Sequence, residues 1–202
     1  MGSLAQDRSP GEPPPGRIVP AAFFSRPSDQ VAPDLIGKIV WAQGVGGGRL
    51  TEVEAYLPEG DPACHAARGM TPRNAAMFGP PGSIYLFRSY GIHLLLNLVC
   101  DREPVGSAVL IRSFEPIGDT DRFARKRTCG PGLVGQALGM HPGLNGLPLG
   151  PSSGLFVIDD GCRPEVLVTT RVGISRGRSL PLRYYMQGST YISRPARMIG
   201  GD

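Results

Sequence analysis

Thr51-Glu52-Val53-Glu54-Ala55-Tyr56 opens the stretch whose reading decides the fold, and Asn97 closes it. Between them stand His65, Thr71-Pro72-Arg73-Asn74, Met77-Phe78-Gly79-Pro80-Pro81-Gly82 and Ile84-Tyr85-Leu86-Phe87-Arg88-Ser89-Tyr90-Gly91-Ile92-His93. Carboxylates, arginines, histidines and aromatics are mixed here with strand formers more densely than elsewhere in the chain. Residues 50–56 alternate, so Val53 and Ala55 point to one side of a strand and Glu52, Glu54 and Tyr56 to the other. Two carboxylates two residues apart on one strand face repel each other, which tends to raise one pKa. An edge strand with solvated acids produces the same pattern. Residues 58–73 lack apolar periodicity and read as a loop, with Thr71-Pro72-Arg73-Asn74 capping a helical turn that runs to Phe78. Residues 83–87 and 93–100 read as the two strands of a hairpin with Ser89-Tyr90-Gly91 at its tip. An aromatic at such a tip either serves recognition or folds back onto the core.

Outward from this stretch, residues 34–41 pass from a short helix or turn into a strand as β-branched and aromatic residues take over. Gly44-Val45-Gly46-Gly47-Gly48 reads as a flexible hairpin tip, because no Gly-Lys-Ser/Thr follows to make a phosphate loop. Residues 107–112 are a buried strand ending in a cation, and 119–128 a charged helix. Gly130-Pro131-Gly132 opens a helix whose free amides suit a phosphate. Residues 156–158, 166–168 and 183–186 complete the strands. Residues 1–20, rich in Gly, Pro and charge, read as a disordered tail, and 21–202 as one domain. The pattern is an antiparallel α+β fold with many short strands and no repeat.

Composition narrows the function classes. A chain of 202 residues with 29 glycines and 21 prolines builds few helices and many turns. No apolar run is long enough to cross a bilayer and no secretory leader is visible, so a cytoplasmic protein without a membrane partner is expected. The net charge is +4, and only Lys38 and Lys126 stand among 21 basic residues. The planar fork of arginine suits phosphate and base edges, although a high-GC coding sequence yields the same bias. Cys64, Cys100, Cys129 and Cys162 are dispersed, and His65, His93 and His141 do not fall at ligand spacing. Neither a disulfide framework nor a metal site is expected.

The ordered set Glu52-Val53-Glu54-Ala55-Tyr56, His65, Thr71-Pro72-Arg73-Asn74, Met77-Phe78, Pro81-Gly82, Tyr90-Gly91, Asn97 and Leu110-Ile111-Arg112 resembles the alkyladenine (3-methyladenine) DNA glycosylases. That family is typified by the mammalian N-methylpurine glycosylase, and a bacterial member is expected here. The similarity continues through Gly130-Pro131-Gly132, Gln136-Ala137-Leu138 and Arg171-Val172-Gly173 to Pro181-Leu182-Arg183-Tyr184. It thus spans residues 20–193 in order, and the ordered set is far more specific than any one motif. The fold it implies is α+β: a single domain on a curved antiparallel β-sheet with a protruding β-hairpin and a few flanking helices.

The resemblance implies a monofunctional enzyme that flips a damaged purine out of duplex DNA and hydrolyses its N-glycosidic bond. Candidate lesions are 3-methyladenine, 7-methylguanine, ethenoadenine and hypoxanthine. Glu54 matches the family's general base, Arg112 the arginine that helps hold the attacking water, and the backbone at Val172 the carbonyl that shares it. Tyr56, His65 and Phe87 match the wall of the base pocket, with Phe87 standing where the mammalian protein has a tyrosine. Asn97 matches the side chain that discriminates against the 2-amino group of guanine, and Tyr90 the wedge that fills the vacated stack. Arg73, Tyr85, Gly130 and Gly132 match weaker DNA contacts. The implied partner is double-stranded DNA with damaged purines, bound by a monomer that needs no metal or cofactor. Leu133 departs from the lysine usual after the Gly-Pro-x segment, and two residues are inserted between Asn97 and Arg112.

Elementary chemistry agrees with these roles. A flipped base loses its stacking, which aromatic faces restore by about 1–3 kcal/mol per base. An N3- or N7-alkylated purine is cationic, which aromatic faces attract, and it is already a good leaving group, whereas a neutral lesion such as hypoxanthine needs protonation as well. A carboxylate that deprotonates water and stabilises a developing positive sugar then suffices. Lyase chemistry through a Schiff base needs an amine nucleophile, and neither lysine lies inside the motif stretch. Two rival readings are a non-catalytic nucleic-acid-binding module on the same fold and a hydrolase of another substrate using Glu52 and Glu54. Glu54 together with Arg112 speaks against the first, and Tyr90 with the arginine excess against the second. Glu52 itself reads as structural, a partner for a nearby arginine.

Overall fold

The strand β3 (Gly46–Tyr56) runs through the middle of the sheet in the computed structural model, which describes residues 12–118, 123 and 127–193. Its first half pairs with β2 (Ile39–Ala42), and its second half, Glu52 to Glu54, pairs with β9 (Arg183–Met186). On the other side it pairs along most of its length with β6 (Ala108–Ile117). β4 (Ile84–Ser89) and β5 (His93–Val99) form the hairpin and extend the sheet beyond β6. β7 (Leu155–Asp159) and β1 (Arg17–Ile18) extend it beyond β2, and β8 (Val166–Thr169) flanks β9. The result is a curled antiparallel half-barrel in one domain, with few helices, as the α+β reading expects.

Helix α2 (Ser28–Leu35) turns Val31, Ala32 and Leu35 onto β3 and β6, which closes the main core around Leu50, Val53, Ile111 and Phe114. Before it comes the short α1 (Ala21–Phe24), and α3 (Pro131–Ala137) covers β5 and β6. A smaller cluster of Cys64, Met77, Tyr85, Val99 and Ala108 lies apart, with Tyr56 and Phe87 packed against it. The loop between β3 and β4 carries two 3₁₀ turns, His65–Arg68 and Ala75–Phe78. The second is the turn expected to follow Thr71-Pro72-Arg73-Asn74, with Asn74 Oδ1 accepting from the Thr71 amide at 2.6 Å.

Several boundaries differ from the sequence reading. Gly46-Gly47-Gly48 belong to β3 rather than to a flexible tip. A Cβ on Gly47 would lie 1.9 Å from the Val40 carbonyl oxygen, and one on Gly48 2.1 Å from that of Glu115. Glycine is there so that three backbones can approach, not to supply flexibility. The ordered chain starts before residue 20: Arg17–Ile18 pair with Asp159 and Ile158, and Val19 is buried. Residues 1–11 of the expected tail, and most of the expected helix over 119–128, lie outside the described residues.

Candidate active site

Pairing register builds the site. Tyr85 opposes Asn97, Asn97 opposes Leu110, Leu110 opposes Glu54, and Glu54 opposes Arg183. Residues directly opposite in a sheet share a face, so one row crosses five strands and carries an aromatic, an amide, an aliphatic, a carboxylate and a guanidinium. Arg112, two residues along β6 from Leu110, returns to that face. Tyr85, Asn97 and Leu110 of this row, with Arg112, form the floor of a cavity of about 420 Å³, a volume suited to a small organic ligand.

Glu54 is fully buried beneath this floor, and three donors fix its carboxylate. The Val172 amide donates to Oε1 at 2.8 Å, and the Tyr56 hydroxyl to Oε2 at 3.0 Å. Arg112 Nη1 lies 3.2 Å from Oε2. Glu52 is equally buried and is met by the Nε atoms of Arg112 and Arg183, each at 2.8 Å, by the Ser193 amide and hydroxyl, and by the Ser113 hydroxyl. Burial alone would raise the Glu52 carboxyl, but Arg112, Arg183 and the Ser193 bonds more than offset it and hold it below the usual carboxylate range. The repulsion expected between the two acids therefore does not raise Glu52; Arg112 bridges both carboxylates. Nor do the acids lie on a solvated edge, because β6 and β9 flank them on both sides.

Tyr56, His65, Phe87, Asn97, Arg112, Val172, Tyr90 and Gly130 all line the one cavity. His65 and Phe87 lie against each other, ring centroids 4.0 Å apart and tilted by 33°. The Tyr85 hydroxyl holds His65 Nδ1 at 2.9 Å. Burial lowers the pKa of His65, and Arg73 lowers it further, which favours the neutral imidazole. Burial pushes Tyr85 up to about 12, so its hydroxyl stays protonated. Burial and the neighbouring Glu54 likewise raise Tyr56. Asn97 spends its amide hydrogens on the carbonyls of Tyr85 and Leu95, at 3.1 and 3.0 Å, which fixes its orientation in the floor.

At the rim stands the tip of the β4–β5 hairpin. Tyr90 is 93% exposed, which decides between the two readings of the tip: the ring does not fold back onto the core. Tyr90 and Gly91 both have positive φ, 49° and 74°, the combination of a type I′ hairpin turn. That conformation is common for glycine and rare for tyrosine. Arg73 braces the hairpin stem by donating to the Arg88 carbonyl at 2.9 Å while its guanidinium sits 4.8 Å from the Phe87 ring centre. Beside the first cavity, Arg68, Arg73 and Arg176 line a second of about 460 Å³ that shares the His65, Tyr85 and Phe87 wall.

Three expectations need correction, at Tyr85, Gly130 and Gly132. Tyr85 is only 1% exposed, so it is a support behind His65 and not a surface contact. The Gly130 amide donates to the Arg112 carbonyl at 2.8 Å, so it is spent within the fold rather than free for a phosphate. Gly132 approaches the His93 ring, 3.0 Å from where its Cβ would stand, and is not part of the cavity lining. At Val172 the backbone amide meets Glu54 directly, a contact beyond the water-sharing carbonyl that the resemblance implies. Sequence reasoning gave no role to Arg183, Ser193 or the fully buried pair Asp61 and Arg171. Among the described residues no His, Cys, Asp and Glu group is arranged to hold a metal ion, and no helix is long and apolar enough to cross a membrane.

Residues 22–190 match the methylpurine-DNA glycosylase family. Proteins named "Putative 3-methyladenine DNA glycosylase" match nearly end to end. That of Nitrobacter winogradskyi is 42% identical over 98% of this chain and 99% of its own. That of Burkholderia lata is 41% identical over 90% of this chain and 93% of its own, and that of Methanoculleus marisnigri 43% identical over 87% and 98%. The match places the chain among the DNA glycosylases, the repair hydrolases that act on N-glycosidic bonds. The chain belongs to the methylpurine-DNA glycosylase family.

Proposed function

We propose that this protein excises alkylated or otherwise damaged purines from duplex DNA by base flipping and Glu54-assisted hydrolysis, without lyase chemistry. The observation that carries the reading is the buried Glu54 carboxylate, held by Arg112, Tyr56 and the Val172 amide beneath an aromatic-walled cavity. The flipped purine enters between Tyr56 and the His65–Phe87 wall. The C1′–N bond breaks with its electron pair passing to the purine, so a cationic lesion leaves neutral, and a neutral one such as hypoxanthine or ethenoadenine takes up a proton from solvent to leave neutral as well. Water adds its oxygen to C1′ and gives its proton to Glu54, while Arg112 stabilises the carboxylate and orients the water. Lys38 is held by Asp159 at 2.8 Å and stands outside the cavity lining, which supports a reading without Schiff-base chemistry.

The test is single-turnover excision from duplexes carrying one ethenoadenine, hypoxanthine or 7-methylguanine, in EDTA. Release of a base from at least one duplex is expected. Binding of all three with no release would favour a non-catalytic damage-binding module instead.

Tyr90, exposed and fixed by its turn, fills the gap left in the stack. Tyr90→Ser removes a stacking contact of about 1–3 kcal/mol, so half-saturation in single turnover should rise about tenfold. Equal half-saturation for both proteins on every lesion would remove the wedge. The groove of Arg68, Arg73 and Arg176 carries the flanking phosphates. Arg176→Ala should therefore lower the slope of log affinity against log salt by about one unit for any sequence. An unchanged slope would place the phosphates elsewhere.

A further inference from the structure

We infer that the buried Asp61–Arg171 pair positions the groups that hold Glu54, and so sets the rate of the reaction without touching the reacting atoms. The inference rests on the functional reading above. Both side chains are wholly buried, and neither lines the cavity. The Arg171 guanidinium meets the Asp61 carboxylate through two bonds, of 2.5 and 2.6 Å. The same guanidinium donates to the Ala55 carbonyl at 3.0 Å, on the backbone between Glu54 and Tyr56, and lies 4.6 Å from the centre of the Tyr56 ring. Arg171 immediately precedes Val172, whose amide bonds Glu54. Asp61 in turn accepts from the amides of Leu57 and Ala63, at 3.2 and 3.1 Å, which ties down the loop that leads to His65.

One ion pair thus joins the end of β3 and the loop that directly follows it to residues 171–174, with 110 positions between the two charges. Two of the three donors on Glu54, the Tyr56 hydroxyl and the Val172 amide, are carried by segments this pair locks. Stability is a poor explanation for it. Arg171 Nε is buried with no hydrogen-bond partner, and a buried ion pair is commonly no more stabilising than apolar side chains of the same volume. What an apolar replacement cannot supply is the two-pronged geometry that fixes the Tyr56 ring on one side and the Val172 backbone on the other. Asp61 and Arg171 are positioning residues.

Asp61→Asn, which keeps the shape and removes the charge, should lower single-turnover excision of ethenoadenine about 100-fold, the cost of a displacement near 1 Å. Affinity for the lesion duplex should change by no more than a few-fold. The fluorescence of the bound ethenoadenine should also shift, because the Tyr56 ring against it has lost its fixed seat, a change that loss of stability alone would not cause. Arg171→Lys keeps a cation beside Asp61 but not the fork, and should recover part of the rate; it also serves if Asp61→Asn does not fold. Either folded variant with the wild-type rate overturns the inference, as does a rate loss that merely follows the fraction unfolded with unshifted fluorescence. A wild-type protein that releases no base overturns the functional reading and the inference with it. Activity in wild type with no effect in the variants overturns the inference alone.

Discussion

Glu54→Gln is expected to lower single-turnover excision by about 10³-fold, within the range lost when a general base is removed, while damaged duplex is still bound. The substitution is nearly isosteric, and its consequences follow from the three donors around the carboxylate. The amide oxygen of glutamine can still accept from the Val172 amide, so the local backbone has no cause to move. Its –NH₂ would face Arg112 Nη1 and the Tyr56 hydroxyl, and only the hydroxyl can turn to accept from it. The variant therefore keeps the cavity and loses the proton acceptor and the negative charge opposite the developing positive sugar. Base release is read by single-turnover kinetics and binding by titration of the same duplex. Excision within tenfold of wild type would remove Glu54 from the mechanism, and parallel loss of binding would make it a structural residue.

How much of this was legible in the sequence depends on the distance over which each feature is determined. The hairpin and its tip are local: alternating strand formers around Tyr90-Gly91 define them, and the structure puts Tyr90 in the open. The pairing of Glu54 with Arg112 came from the ordered motifs, and register then brings both onto one face. Burial of the acids was not legible, since an alternating strand with two glutamates reads equally as a solvated edge. What buries them is β9, about 130 residues downstream, which pairs with Glu52 to Glu54 and delivers Arg183. Tyr85 entered as a weaker DNA contact through the resemblance alone, which carries no information on burial. Its cross-strand partner Asn97 and the small cluster behind it decide otherwise. Asp61 gave no signal and Arg171 stood in a matched motif without a role, because a loop aspartate and a distant arginine become a pair only when residues 171–174 fold against the end of β3.

The largest effect on stability is expected at Glu52, the acid that the chemistry does not use. Glu52→Gln should destabilise the protein by about 3–5 kcal/mol at pH 7, the usual consequence of removing one partner from a buried charge cluster. Arg183 would lose the Glu52 carboxylate beside its buried guanidinium, and Arg112 would keep Glu54 as its one carboxylate. The bonds from the Ser193 amide and hydroxyl and from Ser113 converge on the same carboxylate, so the site cannot relax by turning one side chain. The effect should also depend on pH in a definite direction. The folded protein holds the Glu52 carboxyl below its ordinary value of 4.5, so the ionised form is the one that folding favours. Its contribution is then complete above about pH 4.5 and is lost as pH falls through the lower folded value. Denaturant unfolding of wild type and Glu52→Gln should show a constant gap between pH 7 and about pH 5.5, narrowing below about pH 4.5. A gap under about 1 kcal/mol at pH 7, the range of an exposed ion pair, or one that stays level down to pH 3, would show that the cluster does not hold the centre of the sheet. A confirmed gap would divide the two glutamates by function: Glu52 keeps Arg112 in place, and Glu54 is left to act on water.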